Sequence, residues 1–134
     1  MGFFENTVTV EPNDLDNLNH VNNVRYVQWI QDISKEHWEK MAPEEIKGSM
    51  IWVVMSHNIN YLSPAKLGDV IHVRTHIAKN KGAISTRVVE MFQDGTNTPL
   101  LRSSTQWCLL NARTNKPMRI TEEIMRIFMP TDRV

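Results

Sequence analysis

The ten residues D-L-D-N-L-N-H-V-N-N, positions 14 to 23, set two aspartates, four asparagines and one histidine directly ahead of an apolar, helix-like stretch. An aspartate is ionised at neutral pH and a histidine can donate or accept there, so Asp16 and His20 can serve as base or nucleophile and polar partner. They are four residues apart in a loop that feeds a helix N-terminus, where unpaired backbone N–H groups and the positive dipole end stabilise an oxyanion. The donors would be the N–H groups around Asn23 and Val24. A carboxylate beside a preformed oxyanion site suits acyl transfer or hydrolysis. Asn and Asp ahead of a helix are also ordinary caps and Asx-turns, and composition alone favours that reading.

The loop must be held by elements that the pattern of apolar residues outlines. F-F-E-N-T-V-T-V reads as a strand interrupted by Pro12. The long helical pattern runs from Val24 to Met41, ended by Pro43, and its apolar residues cover more than one narrow stripe, which predicts burial on much of the circumference. Four strand-like segments follow, Met50 to Tyr61, Val70 to Lys79, Ile84 to Phe92 and Leu100 to Leu110, separated by S-P-A-K-L-G-D, N-K-G and Q-D-G-T-N-T-P. The Asn80-Lys81-Gly82 and Asp94-Gly95 turns are short enough for antiparallel hairpins. I-T-E-E-I-M-R-I-F, with Thr121 as N-cap, predicts a short terminal helix. The order is an α+β domain over residues 1–134, one sheet against one helix. A single helix covers one sheet face, so the other face and the edges require polar residues or a partner, and a homo-oligomer is expected.

Several chemistries are excluded on simple grounds. Fifteen Lys plus Arg balance fifteen Asp plus Glu, which argues against a nucleic-acid or anionic-membrane partner. No apolar run is long enough for a membrane helix, and no basic-then-apolar leader opens the chain, so a cytoplasmic protein is expected. The single cysteine, Cys108, suits a reducing compartment and reads as an inert buried thiol. His72 and His76 have the spacing of a helical zinc pair, but on a strand their Cα atoms lie roughly 13 Å apart, so solvent-facing histidines are expected and no metal. Ser56 and Ser63 lack a nucleophile elbow, and the five glycines form no phosphate loop. No cofactor is implied.

D-L-D-N-L-N-H-V-N-N-V-R-Y-V-Q-W-I resembles the D-x-D-x-x-G-H-V-N-N-x-x-Y pattern of hotdog-fold thioesterases of the 4-hydroxybenzoyl-CoA type and of the related acyl-[acyl-carrier-protein] thioesterases. N-Y-L-S-P-A-K-L-G-D-V-I-H-V-R-T resembles the hairpin that follows in that family. The resemblance implies a hotdog fold, a long helix wrapped by a five-stranded antiparallel sheet, assembled as a homodimer or homotetramer with active sites shared between subunits. It implies an acyl-CoA or acyl-carrier-protein thioester as substrate, Asp16 as the catalytic carboxylate, Asp14 in support and Tyr26 at the substrate. His20 matches the histidine of the plant-type relatives, whereas Leu18 stands where they have an asparagine. Asn19 replaces the bacterial glycine, and asparagine tolerates the left-handed backbone such a turn requires.

On this reading the acyl group lies along the helix near Trp29 and Trp52, where aromatic area binds acyl or aryl chains, although both tryptophans also suit plain core. The pantetheine threads between subunits, and its nucleotide phosphates meet Lys79, Lys81 or Arg87 at the surface. Two alternatives stand beside it. Hotdog hydratases place Asp and His five apart with an intervening proline, absent here; a binding-only hotdog module would keep the fold without turnover.

Overall fold

The structure is a computed structural model, and it describes residues 3–129. Strand β1 (Phe4–Thr9) ends before Pro12, which opens a single 3-10 turn at Pro12–Asp14. Helix α1 (Asn23–Met41) follows, then the short helix α2 (Glu44–Lys47) and strands β2 (Met50–Tyr61), β3 (Val70–Lys81), β4 (Ile84–Gln93) and β5 (Thr98–Asn111). Helix α3 (Glu122–Ile127) starts at Thr121, whose hydroxyl accepts the Ile124 N–H as an N-cap. Each expected element is present, most of them a residue or two longer than the apolar pattern outlined, because ladder pairing continues into the polar ends.

The strands form one antiparallel sheet in the order β1-β3-β4-β5-β2. Two tight turns make the expected hairpins. Between β3 and β4 the positive φ of 62° falls on Gly82, and between β4 and β5 φ is 90° at Gly95 and 59° at Asn97, residue types that adopt the left-handed region at least cost. The expected hairpin between β2 and β3 does not form. β2 pairs with β5 and β3 with β1 and β4, so residues 62–69 carry the chain from the β2 edge across the sheet to a strand one in from the β1 edge. The turn residues of S-P-A-K-L-G-D fix a change of direction, not which edge the next strand joins.

α1 lies on one face of this sheet. Its buried residues Tyr26, Trp29, Ile30, Ile33, Ser34, His37 and Trp38 repeat at three- and four-residue steps and form one stripe, narrower than the apolar pattern suggested. Val24 falls off the stripe and is 72% exposed. The stripe meets Ile71, Val73, Val89, Met91 and Leu101 in the main core, and a second cluster of Leu109, Ile120 and Ile124 closes the end of the sheet beneath α3. The opposite face carries ion pairs across β1, β3, β4 and β5 and exposes Ile51, Val53 and Met55 on β2. Glu90 joins Arg74 at 3.0 Å and also Arg102, and His72 meets Glu5 at 2.6 Å. His76 is half-buried rather than solvent-facing, and no cluster of metal-ligating side chains occurs among the described residues.

Candidate active site

The 14–23 segment folds back on itself as a small closed loop. Leu15 and Val21 form an isolated antiparallel bridge, the Asp16 N–H donates to the His20 carbonyl at 2.8 Å, and the Asn19 N–H donates to the Asp16 carbonyl at 3.1 Å. Asn19 closes the turn with φ of 63°, the left-handed backbone expected of the residue in the glycine position. Inside this loop Asp16 Oδ1 accepts the N–H groups of Leu18 at 2.8 Å and His20 at 3.2 Å. The other carboxylate oxygen has no hydrogen-bond partner among the described residues. The carboxylate is therefore aimed by two backbone donors on one oxygen and open on the other.

His20 meets Asp16 only through its backbone. Its imidazole makes no hydrogen bond among the described residues, so the structure does not bring the two side chains together as a base and its polar partner. Asp14, expected in support of Asp16, makes no hydrogen bond to that carboxylate among the described residues. It is buried, its Oδ2 accepts the Glu11 N–H at 2.8 Å, and its Oδ1 faces Arg25 Nε at 3.0 Å. Arg25, one helical turn into α1, was not singled out by sequence reasoning; the 3-10 turn at Pro12 is what swings Asp14 back to it.

The start of α1 sorts the two candidate oxyanion donors. Asn22 is the N-cap, and its side-chain oxygen accepts the Val24 N–H at 2.9 Å. Val24 is thus spent on the cap, which removes it from the donor role. The Asn23 N–H has no partner among the described residues. That group, first in the helix and at the positive end of its dipole, is the one free to bind developing negative charge.

A second loop clamps the first. The Val21 N–H donates to the Ala65 carbonyl at 3.0 Å, and the Ala65 N–H donates to the Tyr26 hydroxyl at 3.2 Å. The 62–69 connection is tied to β1 as well, through Val10 N–H to Asp69 carbonyl at 2.9 Å and Gly68 N–H to Val10 carbonyl at 3.1 Å. Tyr26 is 3% exposed, and burial raises its pKa. It is a positioning residue in the core and is not open to a substrate in the single chain. Trp29 stacks edge-on against it at 5.7 Å and is 9% exposed, so its ring is chiefly core. Exposed apolar side chains stand on both clamped loops, Leu18 and Val24 on one and Leu62 and Leu67 on the other.

The expected phosphate contacts divide. Lys79 and Lys81 are exposed at the β3–β4 turn. Arg87 is not at the surface. It is 3% exposed because the pleat of β4 turns Ser85, Arg87, Val89 and Met91 toward the helix. Its neighbour across the core is His37, whose Nδ1 lies 3.0 Å from Nη1. Trp52, the other expected acyl contact, lines a cavity at this far end of the helix and not the loop around Asp16. Cys108 is buried, as expected of an inert thiol.

The same combination of helix, sheet and loop occurs in solved structures. The chain superposes on the probable thioesterase YbaW of Escherichia coli with a TM-score of 0.80 at 19% identity, covering 92% of this chain and 94% of that one. With the 1,4-dihydroxy-2-naphthoyl-CoA thioesterase Slr0204 of Synechocystis the TM-score is 0.83 at 15% identity, covering 98% and 99%. These likenesses are of fold, the hotdog architecture that the loop sequence suggested. In sequence, 90 residues are 32% identical to the chloroplastic acyl-[acyl-carrier-protein] hydrolase FATB2 of Cuphea viscosissima, which is 66% of this chain and 22% of that much longer protein. Residues 2–128 match the acyl-ACP thioesterase N-terminal domain as a family, which takes in the 14–23 loop, the clamp and every strand, and the chain belongs to that family.

Proposed function

We propose that the protein hydrolyses an acyl thioester of CoA or of acyl carrier protein, releasing the free acid and the thiol. The observation that carries this reading is the Asp16 carboxylate, fixed on one oxygen by the Leu18 and His20 N–H groups and open on the other, just ahead of the unpartnered Asn23 N–H. Asp16 attacks the thioester carbonyl or takes a proton from the attacking water. The Asn23 N–H binds the oxyanion as the carbonyl becomes tetrahedral. Collapse of that intermediate breaks the C–S bond and expels the thiolate, which leaves as thiol with a proton from water; where Asp16 is the nucleophile, a water then cleaves the acyl-aspartyl anhydride, which frees the acid and restores the carboxylate.

The site is completed by a second copy of the chain in a homodimer or homotetramer. β2 presents a free edge along its whole length, with Ile51, Val53 and Met55 exposed at 39%, 36% and 60%, an arrangement that favours pairing with another strand. Lys79 and Lys81 would meet the phosphates of the thiol carrier. The buried, lone Cys108 supports a reducing, cytoplasmic setting.

Thiol release from short, long and aromatic acyl-CoAs, and from the corresponding acyl carrier protein thioesters, tests the reading and identifies the acyl class. Asp16→Asn keeps the size and the two backbone hydrogen bonds and removes the charge, so kcat should fall by about 10²-fold or more with the fold intact. Near wild-type turnover would sink the assignment of Asp16, and binding of every thioester without release would favour a binding module.

A further inference from the structure

The helix and the sheet part at the C-terminal half of α1 to leave a cavity of about 300 Å³ whose walls are aromatic: Trp38, Trp52, Trp107 and Phe128. The rings pack against one another as a box, with Trp38 to Trp52 centroids 5.7 Å apart, Trp38 to Phe128 5.7 Å and Trp52 to Phe128 6.4 Å. Arg87 enters this space from the central strand. Its Nη1 donates to Thr75 Oγ1 at 3.1 Å and to the Nδ1 of His37 at 3.0 Å, and its guanidinium carbon sits 5.1 Å from the Phe128 ring centre.

Among the described residues Arg87 has no carboxylate partner, and its Nη2 and Nε have no acceptor. Those two nitrogens are the edge of the guanidinium that a carboxylate grips with two parallel hydrogen bonds. Three lining residues carry a fully buried polar atom that has no hydrogen-bond partner among the described residues: the indole N–H of Trp52, the indole N–H of Trp107 and the hydroxyl of Ser85. Buried polar groups are nearly always satisfied, and a buried cation without a counter-charge is among the most costly things a core can hold. Four residues with donor groups to spare, one of them charged, line one aromatic hollow.

We propose that this cavity is a binding site for a small carboxylic acid, its carboxylate on the Nε and Nη2 edge of Arg87 and its apolar body among the tryptophans. Every vacant group can donate to an acceptor-only ligand. Water would satisfy hydrogen bonds and leave the charge unpaired, and a phosphate would waste the four aromatic walls. The volume suits a ligand of about the size of benzoate or hexanoate. Of the two lysines that line the cavity, Lys47 is already paired with Glu39 at 3.3 Å and Glu44 at 3.1 Å, and Lys35 has no carboxylate partner among the described residues. Burial pulls the Arg87 pKa down to about 9 and that of His37 to about 3, so near neutrality the guanidinium stays charged and the imidazole stays neutral as its acceptor.

The site is separate from the Asp16 loop of the same chain. Ser34 and Trp38 lie eleven and fifteen residues beyond the helix start, about 17–22 Å along the axis, and no residue of the 14–23 loop lines the cavity. The inference therefore stands whether or not the thioesterase reading does.

Because three of the four tryptophans line the cavity, intrinsic fluorescence reports occupancy. Titration of the full chain with benzoate or hexanoate should give a saturable change, with benzyl alcohol weaker by about tenfold or more because it lacks the charge. A free acid and the distal carboxylate of a dicarboxylic acyl-CoA share this chemistry. Adipoyl-CoA against hexanoyl-CoA separates them, since a response to adipoyl-CoA alone would assign the site to the acyl terminus.

Arg87→Met should abolish the benzoate response. Without ligand its Tm sets the baseline, since it removes the hydrogen bonds to His37 and Thr75 together with the buried charge, and benzoate should raise the Tm of the wild type only. Trp107→Phe, which keeps a ring and deletes one donor, should bind benzoate severalfold more weakly and covers the case in which Arg87→Met fails to fold. Equal binding of benzoate and benzyl alcohol, unchanged binding in Arg87→Met or in Trp107→Phe, or no saturable response to any carboxylate would overturn the proposal.

Discussion

Replacing Asn23 by proline isolates one hydrogen bond donor. Asn22 caps the helix with φ −67° and ψ 140°, an extended conformation that a following proline accepts, and Asn23 is the first helical residue, where proline's fixed φ is already the helical one. The N–H that proline removes has no protein partner among the described residues, and the cap itself, Asn22 to the Val24 N–H at 2.9 Å, is left intact. Thermal stability should therefore change by less than about 0.5 kcal/mol. If the Asn23 N–H binds the oxyanion, its loss costs about 2.7–4 kcal/mol of transition-state stabilisation, or 10²–10³-fold in kcat, with KM changed far less. Asn23→Ala is the control, because it keeps the N–H and deletes only an exposed side chain. The assay is thiol release under saturating acyl-CoA alongside thermal melts of all three proteins. Proline and alanine variants of equal activity and equal stability would refute the oxyanion role and reduce the loop to a cap.

Asp14→Asn should keep most of the turnover and lose about 1 kcal/mol of stability, since it preserves the hydrogen bond from Glu11 and weakens a half-exposed ion pair with Arg25; kinetics and melts read side by side check this. Tyr26→Phe leaves the fully buried Ala65 N–H without an acceptor and should cost about 1–3 kcal/mol in urea unfolding. His37 is pulled below its ordinary pKa of 6.5 to about 3, first by burial and then by Arg87, so the unfolded chain binds a proton that the folded chain refuses. Stability should be fully retained above pH 6.5 and fall as the pH drops from there toward 3, by at most about 1.4 kcal/mol per unit from this residue. His37→Gln should flatten that slope. Sedimentation should give a dimer or larger; a fully active monomer at micromolar concentration would exclude a shared site.

The parts of the site that are local in sequence were legible in it. The Asn22 cap, the left-handed Asn19 and the Thr121 cap follow from side-chain chemistry within three or four residues, and the strands follow from alternation and turn residues. What depends on long-range register was not. The preference of charged residues for the surface hid Arg87, although the parity of Val89 and Met91 on the same strand shows which way its side chain turns. Trp38, Trp107 and Phe128 are far apart in the sequence, and only the strand order brings them to one cavity. The clamp at Ala65 also escaped, since an alanine in a turn has no side-chain chemistry and acts here through its backbone.

That clamp sets an order of events during synthesis. The Asp16 loop is complete by residue 23, yet it is held by the N–H and carbonyl of Ala65, and β1 beside it is paired with β3, which begins at Val70. A helix of 19 residues such as α1 is only marginally stable in water without a sheet to cover its apolar stripe. A ribosome-bound chain that has emerged only through Tyr61 thus carries every residue of the 14–23 loop but neither Ala65 nor β3, and the loop is clamped only when that part of the sheet has left the exit tunnel.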